Sequence, residues 1–294
     1  MLITSFILSS FVVLAIARLQ GPKAGSNKDT ALICDVGEPT KAFLEQAGSF
    51  QIAEQRVNSQ NMLAAGSIGV KVYYHVVAID DTEELGYIPE KTIRKQHAVI
   101  NAAFRGSGIN FVFQSLDYTI NPAWSMSYND TEMRTKLRKG RYQDLNLYFT
   151  QQLTNGGFYL LGRCTLPTNA PEGTLAFNMD GCNVHGDTLP DGVFLGGSKG
   201  YTAVHEIGHW FGLLHTFQGG CYGSGDFVDD TPAQAQANYI CPTEFPDTCV
   251  GDDFPGLDPI NNFMDFSDDK CKNTFTVGQI NRMKSFWNLW RKDT

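Results

Sequence analysis

One short segment limits the architecture of this chain more than any other feature. Residues 205–215 read HEIGHWFGLLH. His205 and His209 are four positions apart, so on a helix their imidazoles project from the same face, one turn apart. Two ligands of a tetrahedral Zn²⁺ need this geometry. Gly212 can take a left-handed conformation that ends the helix, after which the chain can return His215 as a third ligand.

The same segment indicates a catalytic metal site rather than a structural one. Three protein ligands leave one coordination position for water. Bound Zn²⁺ lowers the pKa of that water from about 15.7 towards roughly 7 and polarises a substrate carbonyl. Glu206 lies beside the first ligand and would act as general base and then general acid. The alternative is a buried amphipathic helix that carries histidines by chance, but such a helix does not need five specified residues at fixed positions.

The N-terminus is typical of a secretory signal peptide. Residues 6–16 form a short apolar run, and Ala15-Ile16-Ala17 supplies the small-x-small pattern that signal peptidase reads. The run is too short to span a bilayer, although an N-terminal anchor or a buried helix is an alternative. We expect a signal peptide at residues 1–17, a prosegment or N-terminal extension at 18–66 and a catalytic domain at 67–294.

Charge and cysteine content narrow the functional classes. The formal net charge is -8 and the basic residues are dispersed, which argues against nucleic acid or an anionic membrane as partner. Seven cysteines fit an oxidising, extracellular compartment. The sequon at Asn129 is a candidate glycosylation site consistent with secretion, although single matches also arise by chance.

The apolar pattern predicts an α+β fold. Residues 70–79 are apolar on both alternating faces, as in a strand covered on both sides. Further strands are predicted at 109–113 and 145–149, and residues 163–200 are predicted to form loops around one edge strand. Helical patterns cover residues 41–56, the stripe Ile93, His97, Ile100 and Phe104 after Pro89, and residues 131–139.

Three downstream segments resemble the pappalysin family of metzincins, most closely its secreted fungal and archaeal-type members. Residues 261–269 (NNFMDFSDD) resemble the Met-turn, residues 228–232 (VDDTP) a V-x-D-T-P segment, and residues 275–283 (FTVGQINRM) the last helix. The likeness covers roughly residues 67–290. It implies a zincin-like domain whose upper subdomain holds a twisted mixed sheet and the active-site helix, above an irregular, disulfide-bonded lower subdomain. Met264 would lie beneath the zinc, and substrate would add as a strand to the sheet edge.

The resemblance also implies a pairing of the cysteines. The implied disulfides are Cys221–Cys249 and Cys241–Cys271, which leaves Cys164–Cys182 as the third. Each closes a loop of roughly 20–30 residues and would stabilise the domain by about 3–4 kcal/mol in the chain-entropy model. Cys34 remains unpaired. Its thiolate could occupy the open zinc position as a cysteine switch, or it could be a free or intermolecular thiol.

Structurally characterised relatives bind calcium in the loop after the zinc helix. Asp226 and Thr231 stand at plausible ligand positions, and carboxylate and carbonyl oxygens suit Ca²⁺. The alternative is that Asp226, Asp229 and Asp230 only cap turns.

Two positions depart from the family pattern. Phe266 replaces a tyrosine that many metzincins place near the zinc. Some members carry an aspartate before the last cysteine and favour a basic residue after the scissile bond. Here that position is Lys270, which would discriminate against basic residues unless Asp268 or Asp269 neutralises it.

The sequence therefore predicts a secreted, monomeric zinc metalloendopeptidase that acts on proteins or peptides. Two alternatives are a secreted binding or decoy protein on an inactive peptidase fold and a zinc hydrolase of non-peptide bonds. The intact Glu206 argues against the first, and the Met-turn argues against the second.

Overall fold

The computed structural model describes residues 34–56, 67–194 and 198–294. The expected signal peptide and residues 18–33 and 57–66 of the expected prosegment lie outside the described residues. The strands are β1 (Ile68–Ala78), β2 (Ile109–Ile120), β3 (Leu145–Thr150), β4 (Thr154–Asn155), β5 (Phe158–Tyr159), β6 (Gly162–Cys164) and β7 (Cys182–His185). The helices are α1 (Lys41–Arg56), α2 (Glu90–Ala103), α3 (Pro122–Ser125), α4 (Asp130–Leu137), α5 (Leu175–Met179), α6 (Tyr201–Trp210) and α7 (Val277–Phe286).

A mixed five-stranded sheet organises the fold. Its strand order is β2-β1-β3-β7-β6; the first four strands are parallel, and β6 runs antiparallel to β7 at the edge. Its interior strand β1 is buried along most of its length, as the apolar run predicts. The composition of residues 163–200 predicts a single edge strand, whereas the structure has β7 inside the sheet as well as β6 at its edge. The short strand β7 escapes recognition because Gly181 and Gly186 flank it closely.

Helices α2 and α6 supply the other half of the main core. Ile93 and Ile100 of α2 and Val204 and Ile207 of α6 are fully buried in the cluster that includes the sheet side chains. The three-and-four spacing of these residues therefore has the predicted consequence, an apolar helix face buried against a sheet.

Residues 211–276 form the lower part of the domain and contain no helix or named strand among their described positions. Disulfides Cys221–Cys249 and Cys241–Cys271 cross-link this part, and Cys164–Cys182 joins β6 to β7. These are the pairs that the family resemblance implies. These disulfides stabilise the folded domain by restricting the unfolded chain, and this matters here because the segment has little regular structure of its own.

Two helices from opposite ends of the described chain pack together. Helix α7 begins with a capping box between Thr276 and Gln279 and continues into a π-helical turn at Trp287–Arg291. Phe43 of α1 stacks on Phe286 of α7, with ring centroids 4.7 Å apart. Within the described part of the chain, no helix has the length and apolar character needed to cross a membrane.

Candidate active site

Helix α6 presents the first two histidines, and backbone carbonyls fix their rings. Nδ1 of His205 lies 2.7 Å from the Phe263 carbonyl oxygen, and Nδ1 of His209 lies 2.8 Å from the Leu213 carbonyl oxygen. A protonated Nδ1 that donates to a carbonyl leaves Nε2 as a lone pair, the state in which histidine binds a metal. Both rings are therefore oriented through atoms that a metal would not use.

The three Nε2 atoms converge on one point. Nε2 of His209 is 3.0 Å from that of His205 and 3.1 Å from that of His215. With Nδ1 protonated on His205 and His209, their facing lone pairs cannot satisfy one another, so the arrangement fits a cation at the centre. Burial lowers the pKa of His209 to about 4 and holds His205 and His215 well below the usual range, which keeps the rings neutral.

The turn that returns His215 depends on Gly212. Its φ is +93°, the left-handed conformation that the sequence predicts. An added Cβ would also lie 2.2 Å from the Phe286 ring. Both conformation and close packing therefore require glycine at this position.

The floor beneath the histidines is apolar. Met264 is fully buried, and a Cβ on Gly208 of α6 would lie 2.4 Å from its Sδ, so the Met-turn packs directly on the helix. The Phe266 ring contacts the rings of His205 and His215 at centroid distances of 5.7 and 4.8 Å. The position at which many metzincins carry a tyrosine is thus at the site, but it supplies no hydroxyl here.

Glu206 is buried, and apart from the Cys34 thiol, which lies close enough to lower its pKa as a hydrogen-bond donor, its carboxylate oxygens lack a hydrogen-bond partner among the described residues. Burial raises its pKa to about 8. Its carboxylate rests against Gly162 of β6, where an added Cβ would lie 2.2 Å from Oε1. A carboxylate beside three converging histidines, at the edge strand, is the arrangement expected for general base catalysis at a metal site.

Cys34 completes the cluster. Its Sγ and one ring nitrogen from each of His205, His209 and His215 all lie within 4.8 Å of one another. The backbone at Cys34 forms a parallel bridge with Gly162, so this segment lies along the edge of the sheet. Burial raises the pKa of the Cys34 thiol well above its usual range. The upstream segment thus occupies the edge on which a substrate strand would lie.

The loop after α6 has a buried carboxylate at Asp226. Burial raises the pKa of Asp226 to about 7, and its Oδ1 accepts a hydrogen bond from the Val228 amide at 3.0 Å. Thr231 lines the same depression, and its hydroxyl lies close enough to Asp226 to lower the pKa of that carboxyl as a hydrogen-bond donor. Asp230 accepts hydrogen bonds from the Thr276 hydroxyl and the Gly278 amide at the start of α7, and Asp229 accepts one from Gln51. Asp229 and Asp230 have structural partners, and calcium at Asp226 and Thr231 stays a prediction.

Two lysines near the last cysteine have different environments. Lys270 is exposed and its amide donates to Asp268 Oδ1. Lys272 is only 8% exposed, and its charge acts on Glu206 and Cys34. Sequence reasoning selected Lys270 by its position in the family pattern, and its role in specificity stays a prediction. It passed over Lys272, because nothing in the local composition distinguishes a buried lysine from an exposed one. Asn129 is exposed at the start of α4, so its glycosylation stays a prediction.

Comparison with known proteins places the chain in a family. The peptidase M43 family model, described as pregnancy-associated plasma protein-A, matches residues 136–288. An extracellular metalloprotease of Pyricularia oryzae is 43% identical over 265 residues, covering 90% of this chain and 91% of that protein. One of Neurospora crassa is 40% identical over 285 residues, covering 97% and 98%.

A solved structure agrees with these sequence relatives. Mature mirolysin of Tannerella forsythia, in complex with a cleaved peptide, aligns with a TM-score of 0.59 and 27% identity, covering 76% of this chain and 92% of mirolysin. The three converging histidines and the Met-turn beneath them agree with the family model and with the related metalloproteases. The chain belongs to the pappalysin (M43) family of metallopeptidases.

Proposed function

We propose that this metallopeptidase is a secreted, zinc-dependent endopeptidase synthesised as a latent precursor. The observation that carries the zinc assignment is the convergence of three Nε2 lone pairs, with Nδ1 of His205 and His209 committed to backbone carbonyls. His205, His209 and His215 would hold one Zn²⁺. When bound, this ion would lower the pKa of a water molecule and polarise the scissile carbonyl.

Glu206 would move the proton. In the processed enzyme, which lacks Cys34, no other described residue would compete for its buried carboxylate, so it would be free to take a proton from the attacking water. The protonated carboxyl would then give the same proton to the leaving amine. Gly162 limits where the carboxylate can lie and thereby directs it into the cleft.

The substrate would be an extended protein or peptide segment added to β6. This edge strand is the accessible side of the sheet next to the site, and the chain at Cys34 already forms a bridge there. Backbone hydrogen bonds to an edge strand bind extended segments of varied sequence. That mode fits an endopeptidase better than a hydrolase of non-peptide bonds.

Latency is supported by two separate contacts of the upstream segment. Cys34 lies with the histidines, where its thiolate would occupy the ligand position needed by water. Helix α1 then anchors the segment on α7 through two contacts. Phe43 stacks on Phe286, and Glu54 Oε2 accepts a hydrogen bond from Arg282 Nη2 at 2.9 Å. We propose that removal of residues 18–66 activates the enzyme, after loss of a signal peptide at 1–17. We also propose that the enzyme is a monomer.

Metal and activity measurements test the catalytic assignment. The processed enzyme should contain one zinc per chain and cleave casein, and a chelator should stop cleavage. Glu206→Ala should keep the zinc and lose the activity, whereas His209→Ala should lose both. A decoy protein would bind zinc without cleaving casein, and a Glu206→Ala variant as active as wild type would contradict the assigned proton transfer.

A further inference from the structure

Lys272 is an ionisable group that the proposed mechanism does not use. Lys272 is only 8% exposed. Nevertheless, no described carboxylate lies within ion-pair distance of its ammonium group, and no described residue accepts a hydrogen bond from that group. Taking an ammonium group out of water without a partner is costly, so buried lysines are normally paired. A buried charge without a partner beside an active site therefore indicates a group that meets its partner on binding.

The backbone places Lys272 next to the zinc ligands. The segment that follows Cys271 pairs with the Met-turn: the Phe263 amide donates to the Thr274 carbonyl at 2.9 Å, and the Asn273 amide donates to the Asn261 carbonyl at 2.9 Å. The Phe263 carbonyl in turn holds His205. Lys272 therefore lies on the wall formed by the Met-turn segment, close to the first ligand.

The electrostatic effects agree with this position. Burial is the main cause of the low pKa of His205 and His215, and the ammonium of Lys272 lowers both further. The same ammonium acts on Cys34, whose segment lies along β6. A side chain presented by a strand on this edge therefore comes within electrostatic range of Lys272.

Two of the carboxylates near Lys272, those of Asp269 and Asp265, have other partners, and the third, Glu206, is the proposed proton carrier and acts on Lys272 only through space. Asp269 Oδ2 accepts hydrogen bonds from the Lys199 and Tyr201 amides at the start of α6, at 2.9 and 3.4 Å. Asp265 Oδ1 accepts hydrogen bonds from Gln234 and from the Asn238 amide, at 3.0 and 3.2 Å. Both act on Lys272 through space, but neither forms an ion pair with it. The donors of the ammonium group stay available.

We infer that Lys272 is a specificity-determining residue that binds a carboxylate side chain of the substrate next to the scissile bond. This inference rests on the proposed endopeptidase function. It assigns to substrate recognition a lysine two positions beyond Lys270, which is exposed. The expected ligand is Asp or Glu in an extended peptide, because an ammonium group in a desolvated pocket forms a charge-assisted hydrogen bond with a carboxylate.

Matched peptides test the inference. Quenched fluorescent peptides that differ only by Glu against Gln, or Asp against Asn, at each position flanking the scissile bond are given to the processed, zinc-loaded enzyme. At one position kcat/KM should favour the carboxylate about 10- to 100-fold, the range for hydrogen bonds to charged groups. Lys272→Met should remove the preference, Lys272→Arg should keep it, and Lys272→Glu should reverse it in favour of Arg or Lys.

Lys270→Met is the matched control, since it removes the same charge from an exposed position, and it should leave the preference for a carboxylate over its amide unchanged. The inference is overturned if wild type shows no carboxylate preference, if Lys270→Met alone removes it, or if Lys272→Met slows all peptides equally. Casein cleavage that depends on Glu206 would leave the endopeptidase function standing in each of these cases, so failure of the pocket assignment is distinguishable from failure of the function.

Discussion

The contact between Glu206 and Gly162 makes a sharp prediction about catalysis. In Gly162→Ala the new Cβ would lie 2.2 Å from Glu206 Oε1 and 2.5 Å from its Cγ and Cδ. Ordinary van der Waals contact begins near 3.4 Å, so the carboxylate must shift by about 1 Å. A misplacement of about 1 Å costs on the order of 100-fold in rate, equivalent to about 2.7 kcal/mol.

The substitution should leave folding and metal binding nearly intact. The φ of Gly162 lies outside the left-handed region, so alanine fits its backbone conformation on β6. The zinc ligands lie on α6 and in the turn after it, and Glu206 is not one of them. We therefore expect kcat/KM of the processed enzyme on a short peptide to fall about 100-fold, with zinc content and melting temperature close to wild type.

The chain offers a matched control and an internal check. Gly69→Ala on β1 meets no atom within 4 Å and should change nothing. In a Glu206→Ala background, Gly162→Ala should have no further effect on rate, because the group that it displaces is already absent. A Gly162→Ala enzyme with a wild-type rate would show that the carboxylate does not rest on β6, and an additive loss would show that alanine acts on substrate binding instead.

Four further outcomes are expected. Cys34→Ser should make the unprocessed chain active, and an equally latent variant would remove the cysteine switch. Phe43→Ala should weaken α1 docking, since deleting a buried phenylalanine ring costs about 3–5 kcal/mol, and should raise activity of the unprocessed but not of the processed form. Asp180→Asn should destabilise the fold by about 3–5 kcal/mol in denaturant unfolding at pH 7, because two buried arginines lose their carboxylate. Burial alone would raise the pKa of Asp180, but its two arginine partners outweigh burial and lower that pKa. The stabilisation from Asp180 is therefore present above about pH 4 and is lost as the pH falls through the lowered pKa of the folded state. The Asp180→Asn variant should not show this loss. Calcium should raise the melting temperature of chelator-treated wild type but not of Asp226→Asn, and equal melting curves with and without calcium would exclude the site.

Local patterns in the sequence were sufficient for much of the site. Histidines four apart on a helix share a face whatever surrounds them, and the left-handed turn at Gly212 follows from the freedom of a residue without Cβ. The helix stripe of α2 and the apolar run of β1 are equally local. They are confirmed because each element buries the face that its own period defines.

Other features depended on which distant segments meet. The sequence offered Cys34 as a switch but also as a free thiol, and only the pairing of its backbone with β6 brings its sulfur to the histidines. The choice of Gly162 as the support for Glu206 has no signal in the composition of either segment. Both depend on strand pairing across long stretches of chain, which spacing does not encode.

The two lysines show the limit most directly. Lys270 and Lys272 are the same residue type two positions apart, and the sequence distinguished them only through family resemblance. The folded chain exposes the first and buries the second, because the Met-turn pairs with the strand-like segment after Cys271. The sequence by itself determined that His205 and His209 share one face of a helix, since helical periodicity fixes their relative position. Only the tertiary structure decided which charge lies against the site, since burial is a property of the segments that fold over a residue.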